Sequence, residues 1–163
     1  MEVVLCRVDS RLIHGQVVTK WVNQSNANRI IVVSEELEQD EFMRSVYLMA
    51  APPEVKVDCL GIESMKKAKE SGDLDKGKIL LILPDLKKLK ELVDAGLYKG
   101  EVQVGGLGGG PNRKVVFQNI TLDQADVDIL QNLSDDGISV YFQTIPEDTP
   151  QKLDKIISKY GKE

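Results

Sequence analysis

Ile79-Leu80-Leu81-Ile82-Leu83, together with Ile30-Ile31-Val32-Val33, decides how this chain folds. Neither run alternates apolar with polar residues. A strand with one wet face alternates, whereas a strand covered on both faces is apolar throughout. Such runs belong to a parallel sheet held between two helix layers. The β-rich runs read as strands are Val3–Val8, Arg29–Ser34, Glu54–Leu60, Lys78–Leu83, Glu101–Val104, Lys114–Gln118 and Ser139–Gln143.

Amphipathic stretches lie between and after these runs. Their spacing predicts helices over Gln16–Gln24, Asp40–Ala50, Glu63–Ser71, Asp85–Ala95, Thr121–Ser134 and Pro150–Lys159. Ser34-Glu-Glu and Asp40-Glu are start signals, and Gly72 and Gly96 stand where helices stop. Thr121-Leu-Asp-Gln reads as a capping box. The alternation predicts an α/β fold, a three-layer α/β/α sandwich on a mainly parallel open sheet, with one domain over 1–163.

Composition narrows the function. The chain has 163 residues and a net charge of -5, with no basic block. That argues against nucleic acid as the main partner, because phosphate-backbone binding needs clustered Lys and Arg. No apolar run reaches the roughly 18–20 residues that span a bilayer. The opening Met-Glu-Val-Val-Leu-Cys-Arg reads as a strand rather than a signal peptide, so a cytoplasmic location is expected. Cys6 and Cys59 both fall in apolar runs and read as buried thiols. One histidine and two distant cysteines do not make a zinc site.

That single histidine, His14, lies in Arg7-Val-Asp-Ser-Arg11-Leu-Ile-His14-Gly15-Gln16-Val17. A lone histidine is commonly an ordinary half-buried residue. Here it falls where a strand gives way to a helix, the place where open α/β sheets carry their sites. The first turn of a helix offers free N–H groups and a positive dipole end to an anion. Arg7 and Arg11 add cationic charge, and Asp9 can hold either arginine or accept a proton from the imidazole. His14 is thus the candidate catalytic residue. Arg11, then Arg7, and the N–H groups of Gly15, Gln16 and Val17 are the candidate phosphate ligands. The residues alone leave three readings open: a phosphocarrier enzyme, a non-catalytic anion-binding or regulatory module using the same loop, or a purely structural interaction domain with an incidental histidine.

A second loop, Gly105-Gly-Leu-Gly-Gly-Gly110-Pro111, is dense in glycine. It lacks the Gly-Lys-Ser/Thr of a Walker A loop, and a strand follows it where a dinucleotide fingerprint needs a helix. A flexible connection and a functional loop fit it equally. Trp21 has core spacing with Val17 and Val18 and reads as packing.

The run from Arg7 to Val17, followed by Trp21, resembles the phosphorylation-site signature of IIB components of the mannose/fructose/sorbose family of the bacterial sugar phosphotransferase system (PTS). The resemblance extends to Ile30-Ile-Val-Val33, Lys78-Ile-Leu-Leu-Ile-Leu83, Val104-Gly-Gly106 and Ile120-Thr-Leu122. It implies that His14, at Nδ1, takes a phosphoryl group from a phosphohistidine on a IIA protein and passes it to a sugar arriving through membrane IIC and IID components. It implies no cofactor and no metal. A separate IIA chain is the expected donor, and the protein is expected to associate peripherally with the transporter. Ser10 stands where the signature often has an acidic residue, which puts a role for charge at that position in doubt. The resemblance also implies strand order 3-2-4-1-5-6 with the seventh run at an edge. That order places Asp9–His14, Pro84–Asp85 and Gly105–Gly110 around one crevice. Asp85, Gly105, Gly106, Gly108, Gly109 and Gly110 then become candidate contacts for a partner or a sugar.

Overall fold

The computed structural model describes residues 1–162; the expected domain runs one residue beyond them. In chain order the elements are β1 (Glu2–Asp9), α1 (Gly15–Ser25), β2 (Arg29–Val33), α2 (Glu35–Gln39), α3 (Glu41–Ala50), β3 (Lys56–Leu60) and α4 (Ile62–Ser71). A 3-10 turn at Asp73–Asp75 leads to β4 (Lys78–Leu83) and α5 (Leu86–Asp94). Then come β5 (Val102–Gly106), β6 (Lys114–Phe117), β7 (Ile120–Leu122), α6 (Gln124–Asp135), β8 (Val140–Phe142), β9 (Gln151–Lys152) and α7 (Leu153–Tyr160).

The main sheet has the order β3-β2-β4-β1-β5-β8-β9. Every pairing is parallel except β8 with β9. The apolar runs behave as their composition requires. Ile79, Leu81 and Leu83 point into one core with Ile31, Val33 and residues of α4 to α7. Leu80 and Ile82 point into the other with Ile30, Val32, Val18, Val22 and Leu37. Burying both faces of one strand stabilises the fold by about 25 cal/mol for each Å² of apolar area taken out of water, and this joins the three layers into one unit. No helix among the described residues is long and apolar enough to cross a membrane.

The expected fold class and the order 3-2-4-1-5 hold, with β1 central. The sixth place needs a different assignment. Val140–Phe142 pairs with β5, while the Lys114–Gln118 run leaves the sheet as a hairpin with Ile120–Leu122. The hairpin forms because Phe117 faces Ile120 across a tight Gln118-Asn119 turn, in which Gln118 is left-handed at φ 42°. Thr121 therefore belongs to a strand and does not open the next helix. Asp123 caps α6, with Asp126 completing the capping box. Asp40–Ala50 has the predicted form, with Asp40 as the N-cap of α3, but Glu35–Gln39 before it is a short helix of its own. Cys6 and Cys59 are buried and free, and burial raises both thiols above their ordinary range.

Candidate functional site

β1 delivers Arg7 and Asp9 to the C-terminal edge of the sheet, between the ends of β4 and β5. The chain then turns sharply. Leu12 N–H donates to the Asp9 carbonyl at 3.0 Å, with Leu12 itself in the left-handed region at φ 58°. This turn buries Leu12 and Ile13 and leaves His14 as the N-cap of α1. No side chain caps that helix, so the N–H groups of Gly15, Gln16 and Val17 open its first turn beside the imidazole. Gly15 is itself left-handed at φ 48°.

Asp9 is the hub. Its carboxylate is fully buried and accepts from Arg7 Nη2 at 3.1 Å, from Arg11 Nε and Nη2 at 3.1 Å each, and from the Arg11 backbone N–H at 3.0 Å. Burial pushes its pKa up, but the Arg11 hydrogen bonds and the charges of Arg7 and Arg11 outweigh that and hold it below the usual carboxylate range. Asp9 is therefore ionised at neutral pH and can only accept. His14 Nε2 lies 3.3 Å from Asp9 Oδ2, and because an ionised carboxylate only accepts, this contact suits the neutral tautomer that carries its proton on Nε2 and its lone pair on Nδ1. The imidazole is 24 % exposed.

The two arginines divide the work differently from the sequence-based expectation. Arg7 is 2 % exposed. Besides Asp9 it bonds Gln103 Oε1, the Gln143 carbonyl at 3.2 Å and the Thr144 carbonyl at 2.9 Å. Its guanidinium sits 5.4 Å from the Trp21 ring centroid, and Trp21 Nε1 donates to the same Thr144 carbonyl at 2.9 Å. Enclosed in this way, Arg7 is no phosphate ligand; it is the buried counter-charge that fixes Asp9. Arg11 is 42 % exposed and remains the cation facing solvent. Trp21 is core packing, as read from its spacing, with Arg7 as its neighbour.

The glycine-rich loop does lie beside the histidine loop. Ser10 N–H donates to the Gly106 carbonyl at 3.0 Å, and Gly108 N–H donates to Ser10 Oγ at 3.2 Å. Its glycines serve two purposes. Gly105 and Gly106 belong to β5 and are buried, so they are not contacts for an incoming partner. A Cβ on Gly105 would overlap the Arg7 guanidinium, and one on Gly106 would stand 2.7 Å from Arg11 Nη2. Gly108, Gly109 and Gly110 are exposed at the rim. Asp85 is exposed at the end of β4, where it caps α5 through the Lys88 N–H at 2.8 Å. It shares a cleft with Ser10, Leu12 and Tyr47. Gly105→Ala should therefore displace Arg7 and cost about 2–4 kcal/mol, as overpacking against a buried ion pair does. Urea unfolding at neutral pH checks this; a wild-type midpoint would mean that Arg7 is not confined by β5.

Gln103, Thr144 and Asn119 complete the shell, and none was singled out from sequence. Gln103 had a usable signal: it is a buried amide in the middle of the apolar run Val102-Gln-Val104.

Residues 3–163 match the family model for the PTS system sorbose subfamily IIB component. This chain belongs to that family. The IIB component is 30% identical to the fructose-specific EIIB component of Bacillus subtilis over 162 residues, 99% of each chain. It is 30% identical to the sorbose-specific EIIB component of Lacticaseibacillus casei over the whole of both. It also matches half of the mannose-specific EIIAB component of Escherichia coli K12, at 29% identity. Among solved structures it superposes on manxB from Thermoanaerobacter tengcongensis with a TM-score of 0.92 and 33% identity, covering 99% of this chain and 98% of that one. The IIBSor domain of the Klebsiella pneumoniae sorbose permease gives 0.90 and 28%, over 97% and 98%.

Proposed function

We propose that this IIB component is a phosphocarrier in which His14 Nδ1 takes a phosphoryl group from a phosphohistidine of a IIA protein. His14 then gives it to a sugar entering through the membrane IIC and IID components. The observation that carries this reading is the Asp9–His14 contact. A buried, ionised carboxylate on Nε2 selects the tautomer with a free Nδ1, at a part-exposed position that two partners can reach in turn. The Nδ1 lone pair attacks phosphorus, the N–P bond to the donor imidazole breaks, and that imidazole leaves. In the second transfer a sugar hydroxyl oxygen attacks phosphorus, the bond to Nδ1 breaks so that His14 leaves as a neutral imidazole, and the hydroxyl proton passes to water. The chain's part is positioning and charge stabilisation, which is most of what phosphoryl transfer asks of a protein. Arg11 and the N–H groups of Gly15, Gln16 and Val17 are the cationic and dipolar groups beside the imidazole. Gly108–Gly110 and Asp85 are the exposed neighbours available to a partner or to the sugar. The setting is cytoplasmic, at the face of the transporter.

The test is phosphorylation of the purified chain by a phosphorylated IIA protein, with the product examined by phosphorus NMR. An acid-labile Nδ1 phosphohistidine on His14 is expected. Label elsewhere, or on Nε2, would overturn the assignment. Arg11→Ala should slow transfer by about 10–100-fold, the scale of losing a charge-assisted bond to the transferring group. Arg11→Lys should recover part of that rate, since it returns charge without the planar fork. Equal rates for wild type and Arg11→Ala would show that another group holds the phosphate.

A further inference from the structure

We propose that Asn119, at the tip of the β6–β7 hairpin, is a positioning residue that aims Arg11 at the phosphoryl group. The inference rests on the phosphocarrier reading and extends it to a residue outside the histidine loop. In the amide orientation that satisfies both of its polar atoms, Asn119 Oδ1 accepts from Arg11 Nη2 at 2.8 Å and from Nη1 at 3.1 Å. Its Nδ2 donates to Thr144 Oγ1 at 2.9 Å, and that hydroxyl donates to the Gly105 carbonyl at 3.0 Å. Asn119 thus bridges the guanidinium end of Arg11 to the backbone of β5.

Counting donors shows what the bridge does. A guanidinium has five N–H groups. Asp9 takes one on Nε and one on Nη2. Asn119 takes the other on Nη2 and one on Nη1. The remaining Nη1 N–H has no partner among the described residues, and Arg11 is 42 % exposed. Held from two sides, the guanidinium loses its rotamer freedom and presents one defined N–H outward. Preorganised donors of this kind require no rearrangement as charge develops. With Asp9 alone, the guanidinium would be pinned along one edge and its Nη1 end would be free.

The hairpin is built to hold Asn119 in place. Its turn is clamped to the strand-end loop by Leu107 N–H to the Asn119 carbonyl at 3.3 Å and Thr121 N–H to the Leu107 carbonyl at 3.0 Å. Arg113 ties the same loop down, donating from Nε to the Gly108 carbonyl at 3.1 Å and to Thr121 Oγ1 at 2.9 Å. The excursion of β6 and β7 away from the main sheet has a purpose on this account: it returns one amide to the site.

Asn119→Ala should lower kcat for phosphate uptake from a IIA donor by about tenfold, the rate equivalent of one hydrogen bond to a charged group. KM for the donor and the melting temperature should stay near wild type. In an Arg11→Ala background the same substitution should have no further effect, because Asn119 acts through Arg11. Additive losses, or an unchanged kcat, would overturn the proposal. Heteronuclear NMR of the Arg11 guanidinium N–H groups gives a second readout that needs no transfer. Those signals should broaden by solvent exchange in Asn119→Ala, and unchanged signals would also overturn it. A wild-type chain that accepts no phosphate would instead sink the phosphocarrier reading, and the NMR comparison would still decide the Asn119–Arg11 contact.

Discussion

His14→Ala is expected to abolish phosphate uptake while the protein folds and melts almost as wild type. The side chain is part-exposed, caps no N–H, and makes one long contact, to Asp9. Its removal leaves Asp9 still paired with both arginines, so the stability change should stay below about 1 kcal/mol. No other group in the loop can replace it as the nucleophile. Arg11 is permanently charged, Asp9 is fully buried against both arginines, and Ser10 Oγ hydrogen-bonds to no carboxylate or imidazole among the described residues. Radiolabel transfer from a phosphorylated IIA protein, paired with a thermal melt by circular dichroism, separates chemistry from folding. Uptake by a folded His14→Ala chain would eliminate the mechanism.

Asp9 should behave in the opposite way, with stability and function lost together. Asp9→Ala strands Arg7 as an unpaired charge in the core, a change that typically costs about 3–5 kcal/mol. The pH dependence has a definite sign. The folded carboxyl titrates below its unfolded value of about 3.9. Its contribution is therefore complete at neutral pH and is lost as pH falls through the lowered folded value. Asp9→Asn cannot titrate at this position. The stability gap between wild type and Asp9→Asn, measured by urea unfolding, should be widest at neutral pH and should narrow below about pH 4. A gap that stays constant into strong acid would mean that the carboxylate charge is not what holds the hub.

How far the sequence could be read depended on whether a residue's role was local. The both-face burial of Ile79–Leu83 is written in those residues, and it predicted the sheet. The order 3-2-4-1-5 came with the family resemblance. The histidine loop was legible because its groups share one short stretch. The same logic misread Arg7. Nearness in sequence suggested a second phosphate ligand, whereas a residue two positions before Asp9 on a strand shares its buried face and meets Gln103 and Thr144 from other elements. Asn119 was invisible for the same reason, lying more than a hundred residues from Arg11. The hairpin was missed because Ile120-Thr-Leu122 fits a strand or a helix start equally. Only its pairing with Lys114–Phe117 separates the two.

The fit of the Arg7 guanidinium into the space above Gly105 has a consequence for how related sequences can vary. Position 105 has no room for a side chain while position 7 carries a full guanidinium, and the two are joined by strand packing rather than by chain neighbourhood. Side-chain size at one must therefore trade against size at the other. A lineage that acquires a residue larger than glycine at 105 should carry a shorter residue at 7, together with some other way of neutralising the buried carboxylate. Co-variation between these two buried positions would then trace the support of the site, while the exposed residues of the histidine loop could stay the same.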